Sequence, residues 1–237
     1  MIKNKHMQTM ENYTYTNTAN LQANYRTRRS KDEQDEKIVG QFLDTYFYPT
    51  FCTTITRNTD KATQVKGLDV TVQGVDNVTY KIDEKAATRW AGRNLQTFAH
   101  EISSVNVNGR VYYGWLLNPD SINDYWVEVW IDGLNSIDGN LHDYTNITDA
   151  TVSLIRKSDF FEYMKKNNIN AEYLFNIGDW LRCNGMRSYK LNGFRITCQQ
   201  PPVQERAANI LIPRTTIINN ISCLSVQIKN GKPTRLH

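Results

Sequence analysis

The spacing of apolar residues divides the chain at about residue 30. Before that point Asn, Thr and Tyr dominate, aliphatic residues are scarce, and the segment ends in the basic cluster of Arg26, Arg28, Arg29 and Lys31. Such a composition offers too little apolar surface to form a packed core. We therefore expect residues 1–30 to be a flexible arm that is polar and basic.

A helix is predicted directly after this arm. Ser30 is followed by Asp32 and Glu33, which is a favourable helix start. Apolar residues then recur at helical spacing, and these are Ile38, Val39, Phe42, Leu43, Tyr46 and Phe47. Because Pro49 stops the pattern, the sequence predicts an amphipathic helix from about 31 to 48.

Beyond Pro49 the apolar period changes to two, which is the period of a half-buried β-strand. The segments with this period are 65–72, 78–86, 97–103, 110–117 and 125–131. Turn signals such as Asn108-Gly109 separate them. We expect these segments to form a meander of about five strands.

The last third of the chain returns to mixed patterns. Residues 158–166 and 171–183 have helical spacing and are expected to pack as a pair on the sheet. Residues 194–198, 210–218 and 223–228 are predicted to be short strands or mixed segments. The order of elements predicts one α/β domain, of the mixed α+β kind, over residues 31–237, with a central mixed β-sheet flanked by helices.

Composition narrows the function only slightly. The formal net charge of +4 over 237 residues permits a polyanionic partner but does not require one. The four cysteines form no C-x-x-C pair, which argues against a structural zinc site. No apolar run approaches the roughly 20 residues that cross a bilayer, and residues 1–29 lack the apolar centre of a signal peptide. We expect a cytoplasmic protein with no membrane partner.

Candidate chemistry is concentrated on two predicted strands. Asp69 follows Gly67-Leu68, and fourteen positions later the chain reads Asp83-Glu84-Lys85. Residues two apart in a strand point to the same face, so Asp83 and Lys85 are expected to project together while Glu84 points away. If the two strands pair, Asp69 joins Asp83 as a second oxygen ligand in a hard site that suits Mg²⁺.

This pattern resembles the PD-(D/E)XK nuclease superfamily, in which an acidic residue on one strand precedes an acidic-x-Lys triplet on the next. Here Leu68 stands where the family often has Pro. The wider stretch 67–117 is also similar to uncharacterised bacterial proteins of the superfamily. The resemblance implies a restriction-endonuclease-like core, with Mg²⁺ or Mn²⁺ held by Asp69, Asp83 and the backbone carbonyl of Glu84. It assigns Lys85 to the attacking water or to the charge that develops on phosphate.

Two further acidic residues are secondary candidates. Glu101 lies on the following predicted strand and could bind the metal, orient Lys85, or only form an ion pair with Lys85 or Arg93. Many members of the superfamily carry an acidic residue on the opening helix that reaches the metal or its waters, and Glu36 is the choice here. Asp35 is the neighbouring candidate on this helix, and interaction of a first-turn acid with the helix dipole explains both residues equally well. His100 is expected to face away from Glu101 and to be structural.

Arg89, Trp90 and Arg93 occupy the polar linker after Lys85 and are candidate contacts for nucleic acid. They could hold a phosphate backbone and stack on a base, although an ordinary solvated loop explains them as well. The sequence therefore predicts a metal-dependent endonuclease acting on DNA. One alternative is a catalytically silent protein that binds nucleic acid, or another partner, on the same scaffold. Another is a purely structural domain with a chance acidic triplet, which would bind neither metal nor nucleic acid. Cutting both strands of a duplex would favour a homodimer.

Overall fold

The computed structural model describes residues 18–106, 108–201 and 205–237, and for residues 18–29 it describes the helical backbone alone. The fold class predicted from the sequence is confirmed, because helices flank a large mixed β-sheet. No helix of the described residues is long and apolar enough to cross a membrane.

A long helix, α1 (Thr18–Phe42), opens the described chain. It begins thirteen residues earlier than the predicted helix, so residues 18–30 of the expected arm are helical, while residues 1–17 lie outside the described part. Its regular geometry ends at Phe42, where a π-helical turn (Leu43–Phe47) and a 3₁₀ turn (Tyr48–Thr50) take over. Pro49 lies in that last turn, consistent with its predicted role as the stop.

Seven strands form the first sheet. In chain order they are β1 (Cys52–Arg57), β2 (Val70–Gly74), β3 (Thr79–Ala86), β6 (Tyr125–Leu134), β7 (Ile147–Arg156), β11 (Leu224–Lys229) and β12 (Lys232–Arg235). That chain order is also their spatial order across the sheet. Neighbouring strands are antiparallel except β3 and β6, which are parallel.

Five strands form a second, antiparallel sheet. They are β4 (Thr97–Val105), β5 (Val111–Tyr113), β8 (Ser188–Leu191), β9 (Phe194–Cys198) and β10 (Ala208–Pro213), in the spatial order β5-β4-β10-β9-β8. The predicted five-strand meander is therefore wrong. The chain leaves the first sheet after β3, builds two strands of the second, and returns as β6 on the other side of β3.

The remaining helices are mostly short. They are α2 (Lys61–Val65), α3 (Lys157–Lys166), α4 (Ala171–Cys183) and a turn at Arg214–Thr216 that continues as a π-helical turn, Ile217–Ile221. Two 3₁₀ turns lie at Thr88–Trp90 and Tyr144–Asn146. The predicted helices 158–166 and 171–183 are confirmed. Residue 65 ends α2 instead of starting a strand, and the segment 210–218 changes from strand to helical turn after Pro213.

The first sheet has a different apolar core on each face. One core lies between the sheet and α1 and includes Ile82, Val127 and Phe42. The other includes Trp126 and Trp130 of β6 together with residues of the second sheet, α3 and α4. Because side chains alternate along a strand, Asp83, Glu84 and Lys85 in the covered half of β3 must face one core or the other. This layering positions the candidate site.

Candidate active site

The structure brings Asp69 next to the predicted acidic-x-Lys triplet. Asp69 immediately precedes β2, and its backbone N–H donates to the Ile82 carbonyl at 3.0 Å. Its side-chain Oδ2 accepts a hydrogen bond from the backbone N–H of Glu84 at 2.8 Å. Asp83 is buried and pairs in register with Trp126, so it faces the core shared with the second sheet. Asp69 is therefore fixed beside Asp83 by the pairing of β2 with β3.

Lys85 lies on the same side of β3 as Asp83. Its Nζ forms an ion pair with Asp83 Oδ1 and stands 5.5 Å from the ring centre of Trp115. Burial alone lowers the pKa of Lys85, but the carboxylates of Asp83 and Asp69 outweigh it and hold the pKa above the usual range for lysine. Lys85 is thus a cation at neutral pH, suited to stabilise charge and unsuited to accept a proton.

The two carboxylates leave a surplus of negative charge at the site. Burial raises the pKa of Asp69 to about 7, and the charge of Asp83 and a hydrogen bond between the two side chains act in the same direction. Lys85 and the Glu84 N–H oppose this rise. The raised pKa of Asp69 shows that its ionised form is unfavourable beside the second carboxylate. A cation bound between the two would reduce their repulsion.

This donor set fits Mg²⁺ in type and in number. Both side chains offer oxygen, and Mg²⁺ commonly binds through one or two carboxylates while it keeps several waters. Within the described residues, no group of three or more His, Cys, Asp or Glu side chains is arranged to hold a metal. Coordination would therefore depend on Asp69, Asp83 and a backbone carbonyl, for which Glu84 remains the prediction.

The side chain of Glu84 points to the opposite face, as its place in the alternation predicts. It accepts hydrogen bonds from the Tyr48 hydroxyl at 2.6 Å and from Arg57 NH1 at 2.9 Å. Arg57 also donates to both carboxylate oxygens of Asp44, at 2.7 and 2.9 Å, and to the Gly40 carbonyl at 2.7 Å. Burial and the Glu84 charge raise the pKa of Tyr48 well above its usual value. This network ties β3 to the end of α1 and is structural.

Glu36 and Glu101 both lie within electrostatic range of Lys85. Partial burial raises the pKa of Glu36, and among its neighbours Lys85 lowers it while Asp83 raises it. Burial also raises the pKa of Glu101, against the hydrogen bond from Ser104 and the charge of Lys85. Glu101 lies on β4, in the second sheet, and not on the strand next to β3. Neither residue forms an ion pair with Lys85 in the described part of the chain.

The predicted nucleic-acid contacts lie in the linker between β3 and β4. Arg89 donates to Asp32 Oδ2 of α1 at 2.9 Å, so part of its charge is already used within the fold. Trp90 is 50% exposed, and the Arg93 guanidinium stands 5.6 Å from the centre of its ring. An exposed ring stacked by an arginine is compatible with base stacking, but the contacts themselves remain a prediction.

Several polar residues that the sequence did not single out converge next to Asp83. Lys157, the first residue of α3, donates to Ser121 Oγ at 3.0 Å and reaches Asn123 Oδ1 at 3.5 Å. A Cβ built on Gly67 would lie 3.2 Å from Asn123 Oδ1 and 3.3 Å from both Asp83 Oδ2 and Ser121 Oγ. Gly67 has a φ of +71°, which favours glycine. Lys157 could have been recognised from the sequence as a lysine that directly follows a strand. That strand, β7, was not predicted, so Lys157 was not considered.

The side chains of His100 and Glu128 lie next to each other between the two sheets. Both side chains are fully buried, and His100 Nε2 lies 2.5 Å from Glu128 Oε1. Glu128 is the register partner of Lys85 across the parallel pair, so it lies on the same face of the sheet. His100 packs against Trp115 and Phe160. It faces the core, in agreement with the prediction of a structural histidine.

Comparison with known proteins adds no relative. No family model, no curated protein and no solved structure matches the chain.

Proposed function

We propose that the protein is a Mg²⁺- or Mn²⁺-dependent nuclease that hydrolyses phosphodiester bonds in DNA. The observation that carries the proposal is the convergence of Asp69, Asp83 and Lys85. Two carboxylates, one of them with its pKa raised to about 7, lie beside an ammonium group whose pKa is also raised. Perturbed ionisable groups gathered at one point are typical of catalytic sites.

Each of these residues has a distinct role in the proposal. Asp69, Asp83 and the Glu84 carbonyl would hold the metal ion, which when bound supplies Lewis-acid activation of phosphate and water. Lys85 remains protonated and orients the attacking water or offsets the negative charge that develops on the phosphate oxygens. Glu101 and Glu36 lie within electrostatic range of Lys85, and in the proposal Glu36 would act on a metal-bound water.

One observation favours the alternative of a silent nucleic-acid-binding protein on the same scaffold. In the described residues the site has two carboxylates and no third acidic, histidine or cysteine ligand. Lys85 is moreover already paired with Asp83. A silent protein of this kind would bind DNA with an affinity that falls steeply with salt and would release no product.

The test is cleavage of labelled single-stranded DNA, duplex DNA and RNA with Mg²⁺ or Mn²⁺. Wild type is compared with Asp83→Asn, Lys85→Ala and the matched control Lys81→Ala, an exposed lysine four residues earlier on the same strand. We expect metal-dependent cleavage of DNA, lost by at least 100-fold in the two site variants and kept in the control.

Calorimetric titration with Mg²⁺ accompanies the cleavage assay, and thermal unfolding checks that each variant is folded. Metal binding that disappears in Asp83→Asn supports the proposal. DNA binding without product and without metal binding would instead support the silent alternative. Equal cleavage by wild type and Lys85→Ala would contradict the assignment of the site.

A further inference from the structure

Lys157 is a half-buried cation next to the candidate site. Burial lowers its pKa, against the charges of Asp83 and Asp124. Its hydrogen-bond partners, Ser121 Oγ and Asn123 Oδ1, are neutral. No carboxylate lies within ion-pair distance of its Nζ in the described part of the chain. Its Nζ also lies 5.5 Å from the centre of the Trp126 ring, and this cation–π contact offsets part of the cost of burying the charge. An anionic ligand would offset the rest.

Lys85 is bound to Asp83 directly, whereas Lys157 is bound to polar side chains near the other oxygen of Asp83. Lys85 contacts Asp83 Oδ1. Asp83 Oδ2 borders the space above Gly67, and the same space is bordered by Ser121 Oγ and Asn123 Oδ1. Lys157 donates to these two side chains. Asp83 Oδ2 therefore faces a space that it shares with the hydrogen-bond partners of Lys157.

Displacement at phosphorus needs positive charge on two sides. The attacking water and the leaving oxygen are roughly in line across the phosphorus, so a group that serves the water cannot also serve the leaving oxygen. In the proposed function Lys85 serves the side of the attacking water. At Asp83 Oδ2 the neighbouring cation is Lys157, which donates to Ser121 Oγ and Asn123 Oδ1. The Asn123 amide is buried and donates to the Tyr125 carbonyl at 2.7 Å, so it holds Lys157 in position and leaves the ammonium to contact a phosphodiester.

We infer that Lys157, held by Ser121 and Asn123, forms the subsite for the leaving oxygen of the scissile phosphodiester. This inference rests on the proposed nuclease function. As the bond from the water oxygen to phosphorus forms, the bond from phosphorus to the leaving oxygen breaks and its electron pair stays on that oxygen. The Lys157 ammonium donates a proton to the oxygen. The attacking water loses one proton to bulk solvent. The Lys157 amine regains one proton from bulk solvent, so the protons balance over the turnover.

The test compares two leaving groups. One DNA substrate has the ordinary phosphodiester at the position that wild type cuts, and the other has a bridging sulfur in place of the leaving oxygen. A thiolate is a weak base, since an ordinary thiol has a pKa of about 8.5, so it departs without help from an acid. Lys157→Gln keeps a donor for Ser121 but removes the charge, and Lys157→Ala removes both.

We expect Lys157→Gln and Lys157→Ala to slow cleavage of the oxygen substrate by about 100-fold or more and cleavage of the sulfur substrate by less than about 5-fold. Lys85→Ala should slow both substrates. Lys166→Gln, an exposed lysine on the same helix, should change neither and serves as the control.

The outcomes separate this inference from the proposed function. Wild type that cleaves neither substrate overturns both. Active wild type with equal losses on the two substrates, or with no loss in the Lys157 variants, overturns the subsite alone. Selective rescue by sulfur in either Lys157 variant supports it, and agreement between the two variants guards against an effect of misfolding.

Discussion

Replacing Asp69 with Asn should stabilise the fold above neutral pH even though it removes a proposed metal ligand. The isosteric amide removes the charge that burial and the neighbouring Asp83 make unfavourable. It keeps an oxygen that can accept the hydrogen bond from the Glu84 N–H. Most substitutions of a partly buried polar residue destabilise a protein, so a gain in stability would be diagnostic of a site built for something other than stability.

The size and sign follow from proton linkage. The folded pKa of Asp69 is about 7 and the ordinary value is 3.8, so the native state binds more protons than the unfolded state between these values. Stability from this group is therefore complete below about pH 4 and is lost as the pH rises to about 7. About three pH units at 1.36 kcal/mol each set a ceiling of about 4 kcal/mol. Solvent screening of this partly exposed residue reduces the expected effect to about 2 kcal/mol.

Urea unfolding at pH 5 and pH 8 in the presence of a chelator measures the effect. The advantage of Asp69→Asn should be larger at pH 8 than at pH 5. Asp132→Asn is a control whose free energy of unfolding should fall. Asp132 accepts two hydrogen bonds from Arg214, at 2.7 and 2.6 Å, and the substitution removes this ion pair. Added Mg²⁺ should stabilise wild type at pH 8 and leave Asp69→Asn unchanged. A variant less stable than wild type at pH 8 would refute the surplus of negative charge.

Two further predictions concern the contacts around the site. Gly40→Ala should destabilise the fold, although Ala is ordinarily favoured over Gly in a helix by about 1 kcal/mol, because its Cβ would stand 2.9 Å from the Arg57 guanidinium. The same change should become stabilising in an Arg57→Ala background, and additive urea-unfolding energies would contradict this coupling. Removing one of the two buried side chains, by His100→Phe or Glu128→Leu, should destabilise the fold by about 1–3 kcal/mol, because the remaining polar group is left buried without its neighbour. The double variant should cost less than the sum of the two, as a double-mutant cycle in urea would measure, and strict additivity would show that the pair is not coupled.

The local geometry of the triplet could be predicted from the sequence because it depends on one strand alone. Asp83 and Lys85 share a face and Glu84 takes the other, as a period of two requires. The pairing of β2 with β3 is also local, since a short turn joins them. These two features are enough to bring Asp69 to Asp83.

The position of β3 in the sheet could not be predicted, because it depends on distant segments. Its parallel neighbour β6 begins at Tyr125, and the intervening chain builds part of another sheet. The next strand, β7, was missed although residues 149–154 alternate polar and apolar side chains, and its polar face is buried instead of facing solvent. It contains the buried polar residues Thr151 and Ser153, and Ser153 is satisfied by a hydrogen bond to Ser225 at 2.7 Å. Lys157 directly follows β7, so it was not identified as a candidate residue from the sequence.

The contrast between the two faces of β3 is the strongest argument against a chance acidic triplet. On the face towards α1, Glu84 is neutralised by Arg57 and hydrogen-bonded by Tyr48, as expected of a charge retained for structure. On the other face, Asp69 and Asp83 share the cation of Lys85, and the pKa of Asp69 rises to about 7. A fold selected for stability alone would gain from removing one of these carboxylates. Their presence together beside Lys85 agrees with the proposal that a cation binds on this face.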